Sequence, residues 1–274
     1  AVDPFALQAL LGAVGPVEVG GEEVTADSVV PLLLHDQYVG LDADDDPEEQ
    51  EDRRSTLSSV AEAVVAQFDV ASPDLAALAE GLRTAGSGRH LLLWSEDRSL
   101  QRVWDDVGVG GAIDGDDLYL SVDNYGQNKL DQFLEVRAEI ELDPGVGGTD
   151  VVVRANLANT TPDDEPGYIT GEEPTDERPA GTYAGLLTLT MPEAATLEPD
   201  PRFVVFGPDG ASQVVSEEVV VAPGEEVTVE VAFRLPADVT SFEVGPSARY
   251  PAISWTTSER SWFDDEQPRV RVEW

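Results

Sequence analysis

The chain has 274 residues, 55 of them acidic against 16 Lys and Arg, for a formal net charge of −39. That charge excludes the basic footprint of a nucleic-acid binder and attraction to anionic membrane surfaces. The lack of cysteine excludes a disulfide framework and thiolate chemistry, while an apolar fraction of 41% is enough for one large core or two ordinary ones.

From Pro4 to about Trp104 the pattern is mainly helical. Asp3 and Pro4 open a helix whose apolar stripe is Phe5, Leu7, Leu10, Leu11 and Val14, and Gly15 stops it. The stretch 15–24 reads as short and extended. Residues 25–39 read as a helix capped by Thr25, which Pro31 kinks or splits. Asp46, Pro47, Glu48 and Glu49 give a cap, a first-turn proline and acids at the positive end of the dipole. The helix they open buries one face through Leu57, Val60, Ala61, Val64, Val65 and Phe68. Ser72, Pro73 and Asp74 repeat that start. The run Leu91-Leu92-Leu93-Trp94 predicts a buried strand. A helix follows from Asp97, and the alternation from Asp117 to Tyr125 predicts another strand. Helices alternating with buried strands indicate a layered α/β region over 1–131.

From about Gln132 the period changes to two. Several strand-like runs are punctuated by Gly, Pro and Asp, which predicts an all-β, sandwich-like domain over 132–274. The acidic, proline-rich residues 160–182 read as a solvated loop.

Lys129 is the one lysine. A GC-rich codon bias and salt adaptation both account for this, and the balance favours codon bias with acidity added by lifestyle. No apolar run approaches the ~20 residues of a membrane span. No signal peptide is visible, and Ala1 in place of Met is expected of a trimmed or mature fragment.

Little catalytic chemistry is written in the chain. His35 and His90 are far apart and outside metal-ligand spacing, so no metal site is expected of them. The acidic run from Asp42 begins like a calcium loop, but Pro47 stands where glycine is needed and Arg53 where a bidentate Glu is needed. The Gly-rich 108–111 reads as a turn.

Three residue groups have both a structural and a functional reading. Arg53 and Arg54 follow eight carboxylates between Asp42 and Asp52. They either pair with those acids, at about 0.3–0.5 kcal/mol per pair, or form a bidentate anion site. Lys129 either pairs with Asp123, Asp131 or Glu135 in a hinge turn, or touches a ligand. Trp255 and Trp262 are either core aromatics or a surface on which sugar rings stack. The structural reading is favoured in each case.

Residues 1–19, 32–68 and the motifs Leu91–Gln101 and Leu118–Val136, taken in that order, resemble the domain-of-unknown-function family 4012 of bacterial envelope proteins. The first two also resemble the LytR-CpsA-Psr family. The resemblance implies a partial LytR-CpsA-Psr-like α/β domain, a β-rich region after it, and a location outside the cell or in the envelope as part of a longer membrane-anchored protein. In LytR-CpsA-Psr proteins, arginines and Mg²⁺ hold a polyprenyl pyrophosphate while a glycopolymer is transferred to peptidoglycan. Here Gly40 replaces the arginine of Tyr-Val-Arg, and the Arg-x-x-Arg-Gln motif registers only through Arg53 or Arg54. The expectation is therefore a module without a cofactor, binding or structural, whose partner is a cell-wall glycopolymer or polyprenyl-linked precursor. The alternative is part of a glycopolymer phosphotransferase that uses Mg²⁺.

Overall fold

The computed structural model describes residues 3–39, 47–70, 72–171 and 178–274, with backbone alone for 47–55, 57, 69 and 70. Two compact units divide the chain: Ala1–Gly111 with Pro166–Tyr168, and Ala112–Glu165 with Ile169–Trp274.

The first unit contains helices α1 (Pro4–Val14), α2 (Val29–Leu34), α3 (Pro47–Val70), α4 (Leu75–Ser87) and α5 (Arg98–Asp106), with a hairpin of β1 (Val17–Val19) and β2 (Glu22–Val24). Asp3 caps α1 as its position predicts: one carboxylate oxygen accepts from the Phe5 and Ala6 amides at 2.9 and 3.1 Å. The core gathers Leu7, Leu11 and Val14 of α1, Val17 and Val24 of the hairpin, Val29, Val30 and Leu33 of α2, and Val60 and Val64 of α3. Val60 and Val64 stand one turn apart and are both fully buried, as their spacing predicts, but Val65 is 64% exposed: one residue on from Val64, it is turned off the buried face.

Three local expectations are corrected. Helix α2 starts at Val29 rather than just after Thr25; Thr25 and Ser28 bond to each other through side chain and backbone. Pro31 thus falls in the first turn, where its missing N–H has no intrahelical partner to lose, and no kink is needed. Helix α4 is capped by Asp74, not Ser72, with Asp74 accepting from Ala76 and Ala77. Residues 91–94 form no regular strand. Leu91, Leu92 and Leu93 are half-buried, Trp94 is 75% exposed, and the Leu93 amide bonds the Val109 carbonyl at 2.8 Å. Apolar content alone could not supply the neighbouring strand that a buried strand requires.

The second unit is β-rich and has two sheets. One runs β13 (Val270–Glu273), β10 (Ser241–Val244), β3 (Asp117–Asn124), β6 (Tyr183–Pro192), β8 (Ser212–Val221), β7 (Phe203–Asp209). The other runs β12 (Ser261–Phe263), β11 (Ser254–Thr256), β4 (Leu134–Gly145), β5 (Gly148–Asn159), β9 (Glu226–Leu235). Most neighbours are antiparallel, while β10 with β3 and β11 with β4 are parallel. Burial alternates along β4 and β9, so each turns one face inward and one to water. Val136, Ala138 and Ile140 of β4, Val151, Val153 and Leu157 of β5, and Leu187, Leu189 and Met191 of β6 are each at most 2% exposed. This is the sandwich-like arrangement that the period of two predicts. The unit begins at Ala112, earlier than the 131/132 change of period, because β3 pairs with β6 and β10 rather than with the helical half. Within residues 160–182, a short helix, Gly167–Thr170, and the buried Thr161, Ile169 and Thr182 give the described part more order than a solvated loop.

Candidate functional site

Of the residues singled out from sequence, Lys129, Trp255 and Trp262 lie in the β-rich unit. Arg53 and Arg54 lie on α3, but their side chains, like the acidic residues before them, fall outside the described residues. Lys129 is exposed in the turn between β3 and β4, with its amide bonded to the Ile169 carbonyl at 2.9 Å. That turn is built by short polar side chains. Asn124 Nδ2 donates to Asn128 Oδ1 at 2.8 Å and Asp131 Oδ2 at 3.1 Å, and Asn128 Nδ2 donates to the Thr182 carbonyl at 3.2 Å. Tyr183 donates to Asp131 Oδ1 at 3.1 Å, and the buried Arg249 donates to the carbonyls of Asp131 and Leu134 at 2.9 and 2.6 Å. Burial, with the Asp131 charge beside it, pushes the Tyr183 hydroxyl well above its usual range. It is a hydrogen-bond donor rather than a titrating acid. The cluster fixes the turn that presents Lys129.

Trp255 and Trp262 are 0% and 4% exposed and stack on each other across the β11–β12 pair, with centroids 6.1 Å apart and planes 9° from parallel. Arg260 lies 5.4 Å over the Trp262 ring. No ring face of this pair is open to a sugar, so both act as core aromatics.

Two buried carboxylates also hold structure. Asp117 accepts from Arg269 Nη1 at 3.0 Å and from the Asp114 amide at 2.7 Å, and Arg269 also donates to the Tyr119 hydroxyl at 2.9 Å. Asp264 accepts from the amides of Ser247 and Ile253, each at 2.9 Å. Burial raises both carboxyls above the usual range, against the opposing pull of these donors. The two histidines pair locally, His90 with Asp3 at 2.7 Å and His35 with Asp36 at 2.9 Å. Among the described residues, no group of three or more His, Asp and Glu side chains is placed to hold a metal.

What the sequence did not expose is a concave surface of about 550 Å³ in the β-rich unit. Its floor is Val152 and Ala232 on the outer face of β5 and β9, and its wall is Leu197, Pro199 and Phe203. Thr196 bridges to Arg234, which brings the 196–202 segment along the edge of β9. Carboxylates stand around it: Asp150, Glu198, Asp200 and Glu230. Its arginines are taken, Arg202 by Asp200 and Glu217 at 3.0 and 3.1 Å and Arg234 by Asp150 at 2.5 Å. The arrangement offers a shallow apolar floor in an acidic frame, with no nucleophile beside a base. Three separate segments build it, so no local motif announces it.

Residues 1–38 match a family model described as a protein of unknown function, DUF4012. No curated protein and no solved structure matches the chain.

Proposed function

We propose that the chain is an extracytoplasmic module of a bacterial cell-envelope protein, with a binding or structural role in envelope glycopolymer biology and no catalysis of its own. The observation that carries the reading is the use of the buried ionisable groups. Asp117 with Arg269, Asp264 with two backbone amides, and Asp131 with Tyr183 and Arg249 each fasten a loop or strand end. Catalytic sites instead leave such groups aimed at a space where a substrate sits. The envelope setting draws support from the match of residues 1–38 to DUF4012. A likeness to LytR-CpsA-Psr proteins belongs to the same proposal, with Gly40 in place of the arginine that would help hold a pyrophosphate.

Fractionation of the producing bacterium tests the reading. An antibody raised against the chain should find it in the envelope or culture medium, and added protease should reach it in intact protoplasts. Recovery with a cytosolic marker, protected from protease, would contradict it.

A further inference from the structure

The outer face of β5 and β9 carries three cross-strand pairs in succession. Asp150 stands opposite Arg234, Val152 opposite Ala232, and Arg154 opposite Glu230. The first and last are ion pairs, at 2.5 and 2.7 Å. The middle pair is apolar, and it floors the concave surface described above. A third carboxylate there, Asp200, has its own arginine, Arg202, at 3.0 Å. Glu198 alone of the four carboxylates around the hollow has no ion pair among the described residues. It is exposed, and its chain neighbours Leu197 and Pro199 belong to the apolar wall. The hollow therefore sets an uncompensated negative charge beside an apolar surface.

We infer that this hollow receives a lysine side chain of a partner peptide, with the aliphatic stem over Val152 and Ala232 and the ammonium at Glu198. The sign of the ligand follows from the lining, where four carboxylates face two arginines that are already engaged. An anion would find no open cation there, and a wholly apolar group would leave Glu198 without a partner. The stem follows from the floor and wall, since a lysine covers apolar surface with its methylenes while its charged head stays at the rim. A second copy of this chain is the wrong occupant: it carries a formal charge of −39, and its one lysine, Lys129, sits in the fixed turn between β3 and β4. The inference rests on the binding role proposed above and names the chemical class of its ligand.

The test titrates the full chain, at low salt and about pH 6, with end-blocked Gly-Lys-Gly and follows backbone amide shifts by NMR. Two further peptides replace the lysine, one with norleucine, which keeps the stem and loses the charge, and one with 2,4-diaminobutyrate, which keeps the charge on a shorter stem. The expected result is saturable one-to-one binding of the lysine peptide at about 1 mM or below, with shifts confined to 150–154, 196–203 and 230–234. Each altered peptide should bind at least about threefold more weakly. Glu198→Gln should weaken the lysine peptide by a similar factor, and so should Ala232→Glu, which fills the floor although it adds an acid. If binding is only attraction to an acidic surface, the short-stem peptide binds as well as lysine and Ala232→Glu binds more tightly, and the inference fails. It fails too if the shifts fall elsewhere or if no saturation is reached by about 10 mM peptide. Any of these failures in a chain still found in the envelope leaves the localisation half of the earlier reading intact.

Discussion

Asp117 Oδ1 lies 3.0 Å from Arg269 Nη1, joining the first residue of the first strand of the β-rich unit to the residue before its last strand. The pair is asymmetric: the Asp117 side chain is 1% exposed and the Arg269 side chain 42%. Removing the arginine strands a buried carboxylate, whereas removing the carboxylate lets the arginine turn to water. Arg269→Ala should therefore cost more than Asp117→Asn, about 2–4 kcal/mol against about 1–2. Urea unfolding of both variants checks the order. Equal costs, or a larger one for Asp117→Asn, would show that the partly exposed pair is screened and contributes little.

Asp264 gives the pH dependence its sign. Burial raises its carboxyl above the usual range, so the folded state holds a proton that the unfolded state releases. Its contribution is fully present below the unfolded value and is lost as pH rises through the raised folded value. Asp264→Asn removes that titration. The stability gap between wild type and variant should thus be wider at about pH 4 than at pH 7. Melting temperatures at the two pH values measure it, and a gap that widens towards neutral pH would reverse the assignment. At neutral pH the variant should still be weaker by about 1–3 kcal/mol, because an amide has one acceptor oxygen for the two amides of Ser247 and Ile253.

The turn from β4 to β5 depends on one glycine more than on its neighbour. Gly148 has φ +133°, and a Cβ there would stand 2.1 Å from the Leu235 carbonyl oxygen. Gly147 has an ordinary φ, and its Cβ would meet only the end of Arg234 at 3.4 Å. Gly148→Ala should cost about 2–4 kcal/mol and Gly147→Ala less than about 0.5. Denaturation of the two variants side by side checks this; similar values for both would mean the backbone there relaxes freely.

Salt should stabilise the chain. At a net charge of −39, self-repulsion opposes the compact state and falls as added ions shorten the screening length. The opposing loss is small, since the ion pairs on the outer face, Arg154 with Glu141 and Glu230 and Arg234 with Asp150, are solvent-exposed and screened. The melting temperature should rise steadily from about 0.02 to 1 M NaCl. A flat or falling curve would mean that local pairs outweigh the net charge.

How much was legible in the sequence depends on how local the cause is. Asp3 before Pro4, the Val60–Val64 spacing and the alternation in β4, β5 and β9 are set by neighbours in the chain, and the structure follows them. The run 91–94 was misread because a strand needs a partner that no local pattern can specify. Trp255 and Trp262 read from sequence as core aromatics more than as a sugar platform, and they are buried as that reading expects, but their stacking on each other follows only from the pairing of β11 with β12. The acidic groove was invisible for the same reason, since β5, residues 196–203 and β9 meet only in the fold. Asp117 and Arg269, 152 residues apart, could be matched only by the sheet that joins them.

The central claim is that the chain binds or supports and does not catalyse. The direct measurement mixes it with a polyprenyl-pyrophosphate-linked glycopolymer donor, Mg²⁺ and a peptidoglycan acceptor, and follows transfer of labelled polymer. Phosphoryl transfer depends on positioned cations around the pyrophosphate, and under the proposed likeness to LytR-CpsA-Psr proteins Gly40 stands where one of those cations would be. The account predicts transfer no greater than in a mixture lacking the protein. Transfer above that level, abolished when Arg53 and Arg54 are both replaced by Ala, would contradict it and make the chain part of an enzyme.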